Sequence, residues 1–354
     1  MKILRLLAAA SLAALCTFAA PLTGIGSIPA QEGQGSDPPH TLEISWDRWL
    51  SHEEMGQLME RMARTWPKFL TFSSIGESHE GRELWLMTIN NPDTGPELSK
   101  AGMFIEADVH GNEVQGSEVC LYTIWYLMEN YHRNPEIKRL VDERVFYIVP
   151  TINPDGRDYF LYGTGSGART GHVPVDDDGD GLFDEDGPDD LNGNGVIEQI
   201  RKYVPGEGTH RLNPRDPRIM EPVAPWETGD WVLLGREGLD NDGDGRIDED
   251  PPGSYDGNRN YGAGWQPEYV QSGSMYYPFH NPESRATQDF FATHRNIAGL
   301  QTYHNAAGMI LRPPGSAWDG DYPPEDIRVY DEIGEFGERI LPWFNYHITW
   351  QGLY

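Results

Sequence analysis

The chain has 354 residues, 38% hydrophobic and 11% aromatic, a composition that suits a globular protein with one large core and not a disordered one. Its 56 acidic against 27 basic residues give a formal charge of −29, which argues against nucleic acid or an anionic membrane as partner, because both need basic patches. Nine carboxylates and no base fall between Asp176 and Asp190, so much of the excess is local.

The N-terminus reads as a secretory leader. Lys2 and Arg5 precede an apolar run over 6–20, and the preferred cleavage is after Ala30, giving a signal peptide over 1–30 and a secreted or periplasmic protein with no membrane association afterwards. Leu15 before Cys16 is too large for a lipoprotein signal. Once the leader is gone only Cys120 remains, so no intrachain disulfide forms and this thiol belongs to the core. A Gly/Pro/Ser-rich linker over 31–45 leads into a domain over 46–354.

Ser51 with Glu54 predicts a capping box, and Met55, Leu58, Met59, Met62 and Trp66 continue it as an amphipathic helix that stops before Pro67. Strands are expected at 70–75 and 83–90 around the turn 76–81, then at 103–109. Helices at 117–130 and 136–143 and a buried strand at 145–152 follow. Beyond them come a helix at 282–294, a strand at 297–303 and a helix at 324–340. This alternation implies an α/β fold, a mixed, largely parallel central sheet flanked by helices, with functional groups at the carboxyl ends of its strands.

The segment 163–254 interrupts the pattern. It is rich in Gly, Asp and Pro, poor in regular periodicity, and reads as an acidic insertion. Within it DDDGDGLFDED from Asp176 repeats as DNDGDGRIDED from Asp240. Each copy has the spacing of a calcium-binding loop: Asp176, Asp178, Asp180 and Asp184 in one, Asp240, Asp242, Asp244 and Asp248 in the other, with glycine at the sharp turn. The glutamate such a loop carries at its twelfth position is replaced by Gly187 and Pro251, and Asp186 and Asp250 stand one residue earlier. A weaker third copy starts at Asp190 with Asn192, Asn194 and Gly195. Structural calcium is the expectation.

His-x-x-Glu occurs three times, at His40/Glu43, His110/Glu113 and His280/Glu283. The first adjoins the linker. In the last, Glu283 is explained as a first-turn carboxylate favoured by the helix dipole. Only His110 and Glu113 end a buried strand, and His304 ends another. Two histidines and a carboxylate with one open position make a catalytic zinc site.

At this point the motifs resemble a family. HGNE at His110, INPDG over 152–156, GNRNY over 257–261 and the YHN ending at Asn305 are similar to the zinc carboxypeptidases of the carboxypeptidase A type. IGESHEGREL over 75–84 and PESRA over 282–286 add to this. The resemblance runs from Ser45 to Tyr354 around the acidic segment. It implies one zinc per chain on His110, Glu113 and His304, and Asn258 with Arg259 binding the free C-terminal carboxylate of a peptide substrate. It also implies an oxyanion-stabilising arginine, for which both Arg169 and Arg157 are candidates, with Arg169 preferred.

Two departures stand out. Asn153 and Asn258 are 105 positions apart, which makes the acidic segment an insertion near the active-site rim. The family's general-base glutamate has no counterpart: after His304 only Glu325, Glu332, Glu335 and Glu338 occur, all in the helix expected at 324–340. The expectation is therefore a secreted zinc metallocarboxypeptidase, recorded as a C-terminally truncated fragment that hydrolyses little by itself. The rival readings are a zinc amidohydrolase acting on cell-wall peptides or acyl-amino acids, and a non-catalytic calcium-dependent binding protein on the same fold.

Overall fold

The computed structural model describes residues 41–164, 169–253, 255–305, 307–317 and 322–353. The expected leader and most of the linker, His40 included, lie outside these residues. The chain divides into two compact units. One comprises the residues up to Asp158, Arg169–Gly171 and the residues from Tyr255 onward; the other comprises Tyr159–Ala168 and His172–Ser254.

The first unit opens with helix α1 (His52–Thr65). Ser51 Oγ accepts from the Glu54 amide while the Glu54 carboxylate accepts from the Ser51 amide, so the predicted capping box is formed. Met55, Leu58, Met59 and Met62 on one face of α1 are buried. Strands β1 (Leu70–Glu77) and β2 (Glu83–Ile89) form an antiparallel hairpin. Strand β3 (Ala101–Ala107), helix α2 (Gln115–Asn130), helix α3 (Pro135–Glu143) and strand β4 (Arg144–Val149) follow, then helix α4 (Pro154–Tyr162). Helix α5 (Pro282–Thr293) leads into strand β9 (Ile297–Tyr303).

These strands make one mixed sheet in the order β1-β2-β4-β3-β9. β1, β2 and β4 pair antiparallel in turn, whereas β3 runs parallel to both β4 and β9. Alternation sends its side chains to two apolar layers. Met87, Ile89, Ile105, Phe146 and Ile148 pack with α1, α2 and α3. Leu86, Phe104, Val145, Tyr147 and Val149 pack on the opposite face with Phe290 of α5. Cys120 lies fully buried in the first layer, a core thiol as expected.

A parallel pair, β10 (Met309–Arg312) with β11 (Asn345–Ile348), completes the unit together with α6 (Pro324–Ile340) and α7 (Thr349–Leu353). One boundary differs from the expectation. β3 ends at Ala107, earlier than the expected 109, because Asp108 takes a left-handed φ of 58° and turns the chain. Glu283 stands in the first turn of α5, as expected. It is buried and accepts from the His79 amide at 3.0 Å, fastening α5 to the β1–β2 turn.

The second unit is more regular than its sequence suggests. Strands β5 (Gln199–Gly208), β6 (His210–Leu212), β7 (Met220–Pro222) and β8 (Gly229–Arg236) form a four-stranded antiparallel sheet in the order β5-β8-β6-β7. β5 is exposed along almost its whole length, so it shows no inside–outside alternation. Its Pro205 is tolerated because β5 is an edge strand. Tyr203 opposite Trp231, with ring centroids 5.0 Å apart, supplies the cross-strand contact that burial does not.

Burial pushes Glu283 up to about 7, so the folded protein holds this proton more tightly than the unfolded chain does. Its favourable contribution is complete below the ordinary carboxyl range and is lost as pH rises to about 7. Glu283→Gln keeps an acceptor for His79 and removes the titration. Between pH 4 and pH 8 the stability of the wild type should fall relative to this variant by roughly 3 kcal/mol. Chemical denaturation at a series of pH values checks this, and parallel pH profiles would refute it.

Candidate metal centre

The register of two parallel strands builds the centre. Ala107 of β3 lies opposite Tyr303 of β9, so His304 follows β9 directly while His110 lies three residues past β3. The Glu113 amide donates to the His110 carbonyl at 2.9 Å, a tight turn that brings both side chains to one point. His110 Nδ1 lies 3.2 Å from Glu113 Oε1. His304 Nδ1 lies 2.7 Å from Glu113 Oε2 and 3.1 Å from His110 Nδ1.

These distances test whether a metal fits. Donors ~2.0–2.2 Å from a tetrahedral zinc ion stand roughly 3.3 Å from one another. The two imidazole nitrogens and the carboxylate, one oxygen facing each ring, are thus already gathered at nearly the required spacing, and their nitrogen and oxygen chemistry suits zinc. His110 and Glu113 are 2% and 3% exposed, whereas His304 is open to solvent, so the group is buried on one side and accessible on the other.

Neighbouring groups fix the ligands. His110 Nε2 is 3.0 Å from Asp256 Oδ1, which orients the ring and directs Nδ1 to the centre. Burial lowers the basicity of His110, but its bonds to Asp256 and Glu113 outweigh this and raise it. Burial likewise opposes ionisation of Asp256, yet the His110 bond and the nearby Arg259 and Arg169 bring it to about 2. Glu113 is held well below the usual carboxylate range by both histidines, again against burial. Sequence reasoning missed Asp256. The available signal was a carboxylate two residues before Asn258, since ligating histidines regularly need such a partner.

The two candidate arginines separate cleanly. Arg157 is completely buried and pairs with Asp108 at 3.1 Å and Glu118 at 3.4 Å, besides donating to the Leu50 and Val114 carbonyls. Arg169 is 40% exposed at the centre, 3.2 Å from Glu113 Oε1 and 3.5 Å from Asp256 Oδ2. Its carbonyl accepts from the Gly111 amide, which ties its position to the HGNE turn. Asn153 of INPDG organises both segments by donating to the Thr170 carbonyl at 3.0 Å and the Val109 carbonyl at 3.4 Å.

In GNRNY, Asn258 is exposed, and Arg259 has only a 4.0 Å approach to Asp256 and a bond to the Asn258 carbonyl. Asn260, by contrast, is buried structure, bonded to the Ser274 and Tyr277 carbonyls. Of the four late glutamates, Glu338 accepts from the Tyr346 amide and Glu332 pairs with Arg328 at 3.8 Å.

In the second unit the acidic positions regroup. Carboxylates of Asp176, Asp178 and Asp180 lie together, as do those of Asp186, Asp240 and Asp242, and those of Asp178, Asp242, Asp244 and Glu249. Asp184 and Asp248, expected among the calcium ligands, fall in none of these groups. Asp184 instead accepts from the Val175 and Gly253 amides.

The fold and the first unit's centre define a carrier for two histidines and a carboxylate at adjacent parallel strand ends. Residues 55–181 match the model of the zinc carboxypeptidase family. A zinc carboxypeptidase of Saccharothrix mutabilis subsp. capreolus is 36% identical over 100 residues, 28% of this chain and 23% of that protein. Human carboxypeptidase D is 30% identical over 117 residues, 33% of this chain but only 8% of that protein. The fold is that of solved carboxypeptidases. Thrombin-activatable fibrinolysis inhibitor gives a TM-score of 0.56 at 17% identity, covering 89% of this chain and 64% of that one. Carboxypeptidase A from Helicoverpa armigera gives 0.56 at 18%, covering 88% and 60%.

Gly111 tests how tightly the centre is assembled. A Cβ there would fall 2.3 Å from the Gly156 carbonyl carbon, where only backbone could yield. Gly111→Ala should weaken zinc binding by about tenfold or more, as loss of a supporting contact does, with every ligand still present. Competition with a chelator measures it, and unchanged affinity would show that the HGNE turn does not depend on this packing.

Proposed function

We propose that the chain is a zinc-dependent metallocarboxypeptidase that removes the C-terminal residue of peptides. The observation carrying this reading is the convergence of His110 Nδ1, His304 Nδ1 and the Glu113 carboxylate within 3.2 Å of one another. A zinc ion bound there supplies Lewis acidity toward the scissile carbonyl and acidifies a water. Asp256 keeps His110 in the tautomer that leaves Nδ1 free to ligate. Arg169, part-exposed and anchored by Glu113 and Asp256, supports the negative charge that develops on the carbonyl oxygen. Arg259 keeps its guanidinium largely uncommitted and, with exposed Asn258, takes the free carboxylate of the substrate.

Glu113 and Asp256 are committed to histidine and arginine, so the proton released on hydrolysis goes to an acceptor other than these two. We read 46–354 as the catalytic domain, interrupted by the insertion 163–254, and the protein as exported through the leader at 1–30. Among the described residues no helix is long and apolar enough to cross a membrane.

Metal analysis of the purified chain should find about one zinc per molecule, lost in His110→Ala; retained zinc would rule the site out. A peptide with a free C-terminus should bind more tightly than its C-terminal amide. In Arg259→Ala that preference should shrink by about tenfold or more, since a charge-assisted contact is removed, with zinc content unchanged. Calorimetric titration reads both. Equal binding of acid and amide by the wild type would remove the carboxypeptidase assignment.

A further inference from the structure

The two acidic repeats leave charge that their own loops do not balance. Residues 176–186 and 240–250 together hold thirteen carboxylates and one base, Arg246. Each loop is folded alike. Asp176 accepts from the amides of Gly179 and Gly181, and Asp240 from those of Gly243 and Gly245. Neither loop has an acidic twelfth residue to complete a cation shell, since Gly187 and Pro251 occupy those positions.

The eleventh residues supply what the twelfth do not, and they do so across the pair. Asp186 and Asp250 form an antiparallel bridge, with the Asp250 amide donating to the Asp186 carbonyl at 3.3 Å. Asp250 then turns its carboxylate toward the first loop, where Oδ1 accepts from the Asp177 amide. Asp186 turns toward the second loop, where Oδ2 accepts from the Asn241 amide and the carboxylate joins Asp240 and Asp242. The tenth residues follow the same rule. Glu185 groups with Asp242 as well as Asp180, and Glu249 with Asp178 as well as Asp242 and Asp244.

A second observation indicates that a cation belongs there. Asp250 is 1% exposed, yet its Oδ2 has no hydrogen-bond partner. Glu185 Oε2 and Glu249 Oε2 are buried without partners as well. Buried carboxylate oxygens without donors are costly, and a cation relieves the cost.

We propose that the two loops form one two-cation site in which each loop is completed by the other's eleventh residue, Asp250 serving the loop from Asp176 and Asp186 the loop from Asp240. The all-oxygen donor set, with many carboxylates on two turn-rich loops, selects a hard cation of the calcium class. This site is separate from the zinc reading and stands or falls without it.

Equilibrium dialysis of the full chain against millimolar calcium should find two ions per molecule. Asp176→Asn should leave one. Adding Asp250→Asn to that variant should remove nothing further, because both residues serve the same ion. Adding Asp186→Asn instead should abolish the remaining one. The reverse pattern, with Asp250→Asn removing the second ion and Asp186→Asn sparing it, would show that each carboxylate serves its own loop. Absence of calcium uptake by the wild type would end the proposal outright. Circular dichroism, unchanged across the series, establishes that every variant is folded.

Discussion

Parallel pairing of β3 with β9 is the constraint on which the centre depends. Because Ala107 stands opposite Tyr303, the residues that follow these strands emerge side by side, and His304 meets His110 across 194 positions of sequence. Strand pairing in a sheet is specified by which face is buried, and a shift of one residue would reverse every side chain. The apolar residues of β3, sorted between the two layers, therefore fix the candidate centre as well as the core.

Around that register the protein invests buried charge. Asp108 ends β3 in a left-handed conformation and binds Arg157, Thr151 and Ser117 with one carboxylate oxygen. Burial pushes Asp108 up to about 6 even against the adjacent Arg157, so the pair is held at a cost. Such networks add little net stability, but removing one member strands the rest. Here the network fixes the chain direction just before His110. The INPDG turn performs the companion task, since Asn153 bonds to the carbonyls of Val109 and Thr170 on both sides of the centre. Scaffold and site thus share their polar groups.

The site motifs were legible because metal chemistry restricts residue type, and strand ends restrict position. His110, Glu113 and His304 could be named from strand-end patterns, whereas Asn258 and Arg259 followed from the resemblance. The choice between Arg157 and Arg169 could not be made in that way. Both are arginines close to Asn153 in sequence, and only burial distinguishes a structural guanidinium from one open to solvent. Asp256 was passed over for a related reason: its role is defined by a ring nitrogen 146 positions away. The sheet of the second unit escaped because β5 has no buried face and so leaves no period-two signal.

The sequence by itself determined the class of fold, the capping of α1 and the side chains gathered at the candidate centre, because each follows from short-range periodicity or from chemistry that few residues can perform. Only the tertiary structure decided which arginine faces the centre, which carboxylate orients His110, and how the two acidic loops share their carboxylates. Those outcomes depend on distances between segments far apart in the chain, and such distances are set by packing and strand register, which local residue patterns do not encode.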